Sequence, residues 1–341
     1  MRNYLILIAI VAFYACQPSK KNYSWDEFAV EGEPSFRGIS VLNEKIIFVS
    51  GTKGTVLKTI NGGLDWEEVY VPDADSLDFR DVEVLNENEI ILMSAGSGKL
   101  SNIYKSHDGG KHWEVTFTNQ DSLGFFDGMA FWDDTHGVLG GDPVDSKLFL
   151  MTTSDGGNTW QRIHPDNLPE MNENEYGGFA ASGSHLAVKG NSIWLGTGGL
   201  TARIFYSKDR GQHWEVVYTP MVQGEGSQGI FSIDLYDENT GVAVGGNYKK
   251  EDEGLENVIL SKDGSETWSL SNDFPVFQSS VRYVSQDELI SVGPSACYQS
   301  LDGGLTWKAF GESGFHTMDR AEDGSIWAAG SDGRIAQLIV K

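Results

Sequence analysis

One short pattern recurs six times along the 341-residue chain: a hydroxyl residue, an Asp or Asn, a glycine pair or its remnant, then tryptophan. The copies run Thr59 to Trp66, Ser106 to Trp113, Thr153 to Trp160, Ser207 to Trp214, Ser261 to Trp268 and Ser300 to Trp307. Their acidic or amide members are Asn61, Asp108, Asp155, Asp209, Asp263 and Asp302, spaced by 47, 47, 54, 54 and 39 residues. Repetition at that period requires stacked supersecondary units, because one such unit cannot bury its apolar face alone.

Each copy ends a longer unit. In the first, Phe36 to Leu42 alternates as a half-buried strand does, Ile46 to Val49 forms a second run, Gly51 to Gly54 a loop, and Thr55 to Thr59 a third run. A fourth run, Trp66 to Tyr70, follows the box. Four short strands per unit make a β-propeller blade, and the box is its last tight turn. There the hydroxyl and carboxylate accept backbone N–H bonds, and glycine supplies positive φ. The boxes read as structural.

Strand heads occur at Phe36-Arg37, Phe79-Arg80, Phe126-Asp127, Gly178-Phe179, Ile230-Phe231, Val281-Arg282 and Phe315-His316. Seven heads against six boxes leave the last unit without its outer strand. Trp25-Asp26-Glu27-Phe28 copies Trp66-Glu67-Glu68-Val69, so the N-terminal segment supplies that strand and closes the ring. The expected fold is all-β, a seven-bladed β-propeller with four-stranded blades over residues 25–341, one domain without exposed sheet edges.

Met1-Arg2-Asn3 and the apolar run Tyr4 to Tyr14 read as a secretory signal over 1–15, too short to span a bilayer. Phe13-Tyr14-Ala15-Cys16 resembles a bacterial lipobox, with Phe13 in place of the usual Leu. Cys16 would then carry lipid and residues 16–24 form a tether, giving an exported, lipid-anchored protein of the bacterial cell envelope. Cys297 is left without a disulfide partner. A formal charge of −24 argues against nucleic acid and against attraction to an anionic bilayer, so the lipid is the expected membrane contact.

Motifs for cofactors fail. Gly96-Ser97-Gly98-Lys99-Leu100 lacks both the first glycine and the Ser/Thr of a phosphate loop. Glu225-Gly226-Ser227-Gln228-Gly229 misses the first residue of a nucleophile elbow. His107 and His112 flank a turn with no third ligand nearby in sequence, and no dinucleotide fingerprint follows a strand. Neither a metal nor a cofactor is expected.

If the inner strands line the channel, their heads gather Arg37, Arg80, Asp127, Arg282 and His316 at one rim, with Lys53, Asp142 and Tyr248 from neighbouring loops. Converging arginines in an acidic protein suit a carboxylate or phosphate. Alternatively each arginine pairs with Asp81, Asp127 or Asp142 and is merely neutralised. A hydrolase reading takes Asp127 and Asp142 as catalytic carboxylates, with Glu225 in a nearby loop.

The Phe-Arg heads, glycine loops and boxes together resemble the photosystem II stability/assembly factor family, seven-bladed propellers with BNR/Asp-box repeats, most clearly over Phe36 to Trp66 and Phe79 to Trp113. That resemblance implies a non-catalytic assembly factor binding a protein partner or an anionic small molecule or glycan at the rim. Sialidases also carry Asp-boxes, on six blades. The chain shares Phe36-Arg37 with their opening motif but lacks its Ile-Pro. The alternative from that side is a glycoside hydrolase or lyase acting on an acidic sugar.

Overall fold

The computed structural model describes residues 21–341 except 29, 272–274 and 312. The signal segment and Cys16 lie outside the described residues. Seven antiparallel sheets form a ring, six of four strands and one of six. Blade 1 consists of Phe36–Val41, Ile47–Gly51, Val56–Thr59 and Glu67–Glu68, ordered from the axis outward. Successive inner strands pack side by side around the axis, and Thr317–Arg320 of blade 7 returns to Phe36–Val41.

The ring closes as the sequence requires. Tyr23–Phe28 is the outer strand of blade 7 and pairs with Ile335–Val340, from Tyr23 opposite Val340 to Phe28 opposite Ile335. Every seam between blades holds an apolar cluster. At the closing seam Phe36, Ile47, Trp327 and Ile335 are buried, and Phe28 stacks on Trp327 at 5.1 Å. Burying an aromatic side chain of that size contributes about 2–3 kcal/mol, so closure rests on packing as well as on strand pairing.

The box turns repeat one hydrogen-bond pattern. In the second, Gly110 N donates to Ser106 Oγ (2.8 Å), Ser106 Oγ donates to Asp108 Oδ1 (3.0 Å), and Asp108 Oδ1 accepts from His112 N (2.9 Å). The others follow, from Gly63 N on Thr59 Oγ1 (3.0 Å) to Gly304 N on Ser300 Oγ (2.9 Å). Gly109 and Gly110 have φ of 73° and 87°, a region closed to most side chains. In two degenerate copies Arg210 (58°) and Ser265 (70°) occupy glycine positions at that same φ.

Inner strands are also latched across seams by side chains. Ser40 Oγ accepts from Val84 N (3.0 Å), Asp81 Oδ2 from Met129 N (2.8 Å), Asp234 Oδ2 from Tyr283 N (2.6 Å) and Asp319 Oδ2 from Val41 N (2.9 Å). Carboxylates around the axis therefore satisfy backbone donors of the next blade.

One expected strand is displaced. The inner strand of blade 4 is Leu186–Lys189 rather than a strand beginning at Gly178-Phe179. The preceding residues descend into the channel instead. Ser182 Oγ donates to Ser279 O (2.9 Å) in blade 6, Thr317 Oγ1 of blade 7 donates to Ser182 O (3.3 Å), and Ser184 Oγ donates to Ser232 Oγ (2.8 Å) in blade 5. At Gly183 (φ 70°) a Cβ would stand 2.6 Å from Asp81 Oδ2 of blade 2, so the descent needs glycine. A plug of residues 178–185 thus divides the channel into two openings.

Candidate functional site

The opening at the heads of the inner strands is a cavity of about 520 Å³. Local backbone geometry builds it. The inner strands of blades 1, 2, 3 and 5 each carry a β-bulge at the head, and the extra residues are Arg37, Arg80, Asp127 and Phe231. A bulge turns its extra side chain away from the ladder. Here all four line one mouth, joined by His316 and by Asp142 from the second strand of blade 3.

Arg80 Nε meets Asp78 Oδ2 at 2.6 Å, and its Nη1 donates to Ala180 O of the plug at 2.6 Å. Arg37 has no hydrogen bond or ion pair among the described residues. Burial, and the Arg80 charge beside it, lower its guanidinium to about 10, with Asp78 and Glu251 opposing. It therefore stays cationic at neutral pH. His316 is pushed down to about 3 by burial and by the charges of Arg37, Arg80 and Arg334, and its Nδ1 is buried without a partner. The mouth thus sets Arg37, Arg80 and a neutral His316 in a partly dry cup within an acidic molecule.

Burial governs both carboxylates at the mouth. Asp127 is fully buried, and burial followed by the Asp142 charge drives its carboxyl well above the usual range; Oδ2 has no partner. Asp142 is also raised by burial. Neither arginine pairs with Asp127 or Asp142, and Asp81 is a seam latch on the far side of the plug.

Aromatic rings wall the cup. Phe179 of the plug stacks on Phe231 at 4.0 Å with planes 4° apart, and Tyr248 and Phe277 meet Phe231 edge-on at 6.2 and 4.7 Å. A buried ion pair pins the strap that carries Phe179. Arg203 Nε lies 3.0 Å from both oxygens of Glu175, whose Oε1 also accepts from Thr197 Oγ1 (2.6 Å). Glu175–Tyr176 extends the sheet of blade 5 through Gly198–Gly199. Sequence reasoning missed this aromatic wall, apart from Tyr248. The lengthening of the box spacing from 47 to 54 residues before blade 4 was the available signal.

Two expected rim residues are elsewhere. Arg282 lies at the opposite opening, 3.8 Å from Asp319, with Nη1 donating to Val281 O (3.0 Å). The register explains it: Gly38 faces Ser50 in blade 1, whereas Ser280 faces Val292 in blade 6, so Ser279 matches Arg37 and Arg282 falls three residues further. Lys53 is exposed on a groove between blades 7 and 1, away from the mouth. Glu225 is held by Lys250 (3.3 Å) and Asn247 (3.1 Å) on the extended strand of blade 5.

The sequence profile of the family described as photosynthesis system II assembly factor YCF48 matches residues 17–124. A photosystem II assembly lipoprotein Ycf48 from Synechococcus sp. (strain CC9902) is 22% identical over 257 residues, 72% of this chain. The chain spans 65% of that relative's length. A solved YCF48 bound to a D1 peptide superposes with a TM-score of 0.67 at 15% identity, over 93% of this chain and 97% of the other. YCF48 from Cyanidioschyzon merolae gives 0.66 at 15% identity, over 92% and 98%. The chain resembles the photosystem II assembly-factor family in sequence across its first third and shares the fold of that family's solved members.

Proposed function

We propose that this chain is a non-catalytic binding propeller, an assembly factor that holds an acidic segment of a partner protein in the cup formed by Arg37, Arg80 and the Phe179–Phe231 wall. The observation that carries this reading is Arg37, a cation with no hydrogen bond or ion pair among the described residues, in a cavity that Phe179, Phe231, Tyr248 and Phe277 wall beside Arg80, Asp142, Glu251 and His316. A carboxylate on an apolar segment would pair with Arg37 and share Arg80, while side chains beside it cover Phe179 and Tyr248. Exposed Leu100, Leu123, Tyr176, Leu200 and Leu255 belong to loops and connections around this same face and extend the surface for a protein ligand.

The similar proteins support the reading. One carries the name of an assembly lipoprotein, and one with the same fold holds a peptide. We place this chain in the cell envelope on a lipid at Cys16, with the mouth free for its partner. An anionic small molecule or glycan would use the same arginines.

The hydrolase alternative fares less well. A catalytic carboxylate must touch the glycosidic bond, and Asp127 Oδ2 has essentially no exposed surface. The two readings separate experimentally. Arg37→Ala with Arg80→Ala should abolish capture of an acidic peptide library while Asp127→Asn leaves it nearly unchanged. Turnover of an acidic glycan that disappears in Asp127→Asn or Asp142→Asn would overturn the proposal.

A further inference from the structure

The box turns lie on the face opposite the mouth. They bond to the turns that end the inner strands, as Gly62 N does to Lys45 O (3.1 Å) and Gly109 N to Asn88 O (3.0 Å). The chain enters the propeller on that face, where a seventh box would stand. Lys341 N donates to Asn22 O (2.8 Å), Lys21 pairs with Glu288 at 3.0 Å, and Tyr23 Oη donates to Glu288 at 2.7 Å. Glu288 belongs to the first turn of blade 6.

Each box has two outward positions, after the hydroxyl residue and after the glycines. In blades 2 to 5 they are His107 and Lys111, Ser154 and Asn158, Lys208 and Gln212, Lys262 and Glu266. In blades 1 and 6 they are Ile60 and Leu64, and Leu301 and Leu305. These four are 66%, 81%, 42% and 45% exposed, and Val340, at the chain end between them, is 59% exposed. The apolar pairs thus occur on the two blades that flank the entry point of the tether.

We propose that this sector is a bilayer-docking surface, on which Ile60, Leu64, Leu301, Leu305 and Val340 rest in the lipid interface while the Arg37 mouth faces away. The proposal rests on the lipid anchor at Cys16 advanced above. Four residues separate Cys16 from Lys21, and the five Cα steps between them span at most about 18 Å, whereas an inner strand of six residues alone is about 20 Å long. A lipid at Cys16 therefore reaches the box face and falls short of the mouth. Attraction is apolar, since the molecule is strongly acidic.

The test uses the mature acylated chain in phosphatidylcholine vesicles that carry a spin-labelled lipid. Because Cys297 is buried, single fluorophores can be placed at Leu64→Cys, Leu305→Cys, Leu123→Cys or Leu255→Cys. Lipid quenching at 64 and 305, absent at the mouth-side positions 123 and 255 and insensitive to salt, is expected. Leu64→Ser with Leu305→Ser should weaken vesicle binding by about tenfold and leave peptide capture at the mouth unchanged. Quenching at 123 and 255, or equal quenching at all four positions, overturns the surface. A chain that fails to bind vesicles overturns the anchor with it, and neither result touches the Arg37 cup, which peptide capture tests separately.

Discussion

The indole Nε1–H of Trp194 donates to Ser265 Oγ at 2.7 Å, so a buried residue of blade 4 depends on the box of blade 5. Ser265 stands at φ 70° where the other boxes have glycine. Strain and hydrogen bond oppose each other at one position. Ser265→Gly relieves about 1 kcal/mol of backbone strain but orphans the indole N–H, which costs about 1–3 kcal/mol. Ser265→Ala keeps the strain and loses the bond. Denaturant unfolding should rank wild type above Gly and Gly above Ala; a glycine variant less stable than alanine would contradict this.

Removing one partner of a buried ion pair leaves the other charge without compensation. Arg203→Met should therefore cost about 3–5 kcal/mol by equilibrium unfolding. Its local effect falls on the strap that holds Phe179 over the mouth, so hydrogen exchange should rise first at residues 170–185. Faster exchange spread evenly over blade 4 would show that the ion pair serves the blade rather than the strap.

His185 is fully buried with neither ring nitrogen partnered, and burial pushes it down to about 3. The unfolded imidazole takes a proton near its ordinary 6.5, so between these values the unfolded chain binds more protons and acid favours unfolding. The slope reaches about 1.4 kcal/mol per pH unit. His185→Phe removes this term, and its stability relative to wild type should improve as pH falls from about 7 to about 5. A constant difference over that range would mean the imidazole is not held neutral in the fold.

Cys297 is completely buried, and burial raises its thiol to about 12. A thiol reagent should modify it only as fast as the propeller unfolds. Rapid modification of the native chain would place blade 6 among locally opening elements.

Much of this architecture was legible because it is local. The six boxes announce their turns, and the match of Trp25 to Trp66 announces the closing strand. Arg37, Arg80, Asp127 and His316 were brought to one mouth by the repeated Phe-x heads, whose bulges aim the first three, and Asp142 joins them from the second strand of blade 3. Arg282 was misplaced because Val281-Arg282 imitates such a head three residues late in the register. The plug was illegible for a different reason. Gly178-Phe179 has the composition of a strand head, and distant contacts, among them those with Ser232, Ser279 and Thr317 from 48 to 135 residues away in sequence, hold the segment in the channel.

The central claim is that the Arg37–Arg80 cup holds a protein segment, and cross-linking from its wall tests it most directly. A photoreactive benzoylphenylalanine at Tyr248, which faces the cup beside Phe231, would be activated in intact membranes. The account predicts a discrete protein adduct that disappears when Arg37→Ala and Arg80→Ala are added and persists with Asp127→Asn. An adduct indifferent to both arginines, or none from Tyr248 while a probe at Leu64 captures the partner, would contradict it.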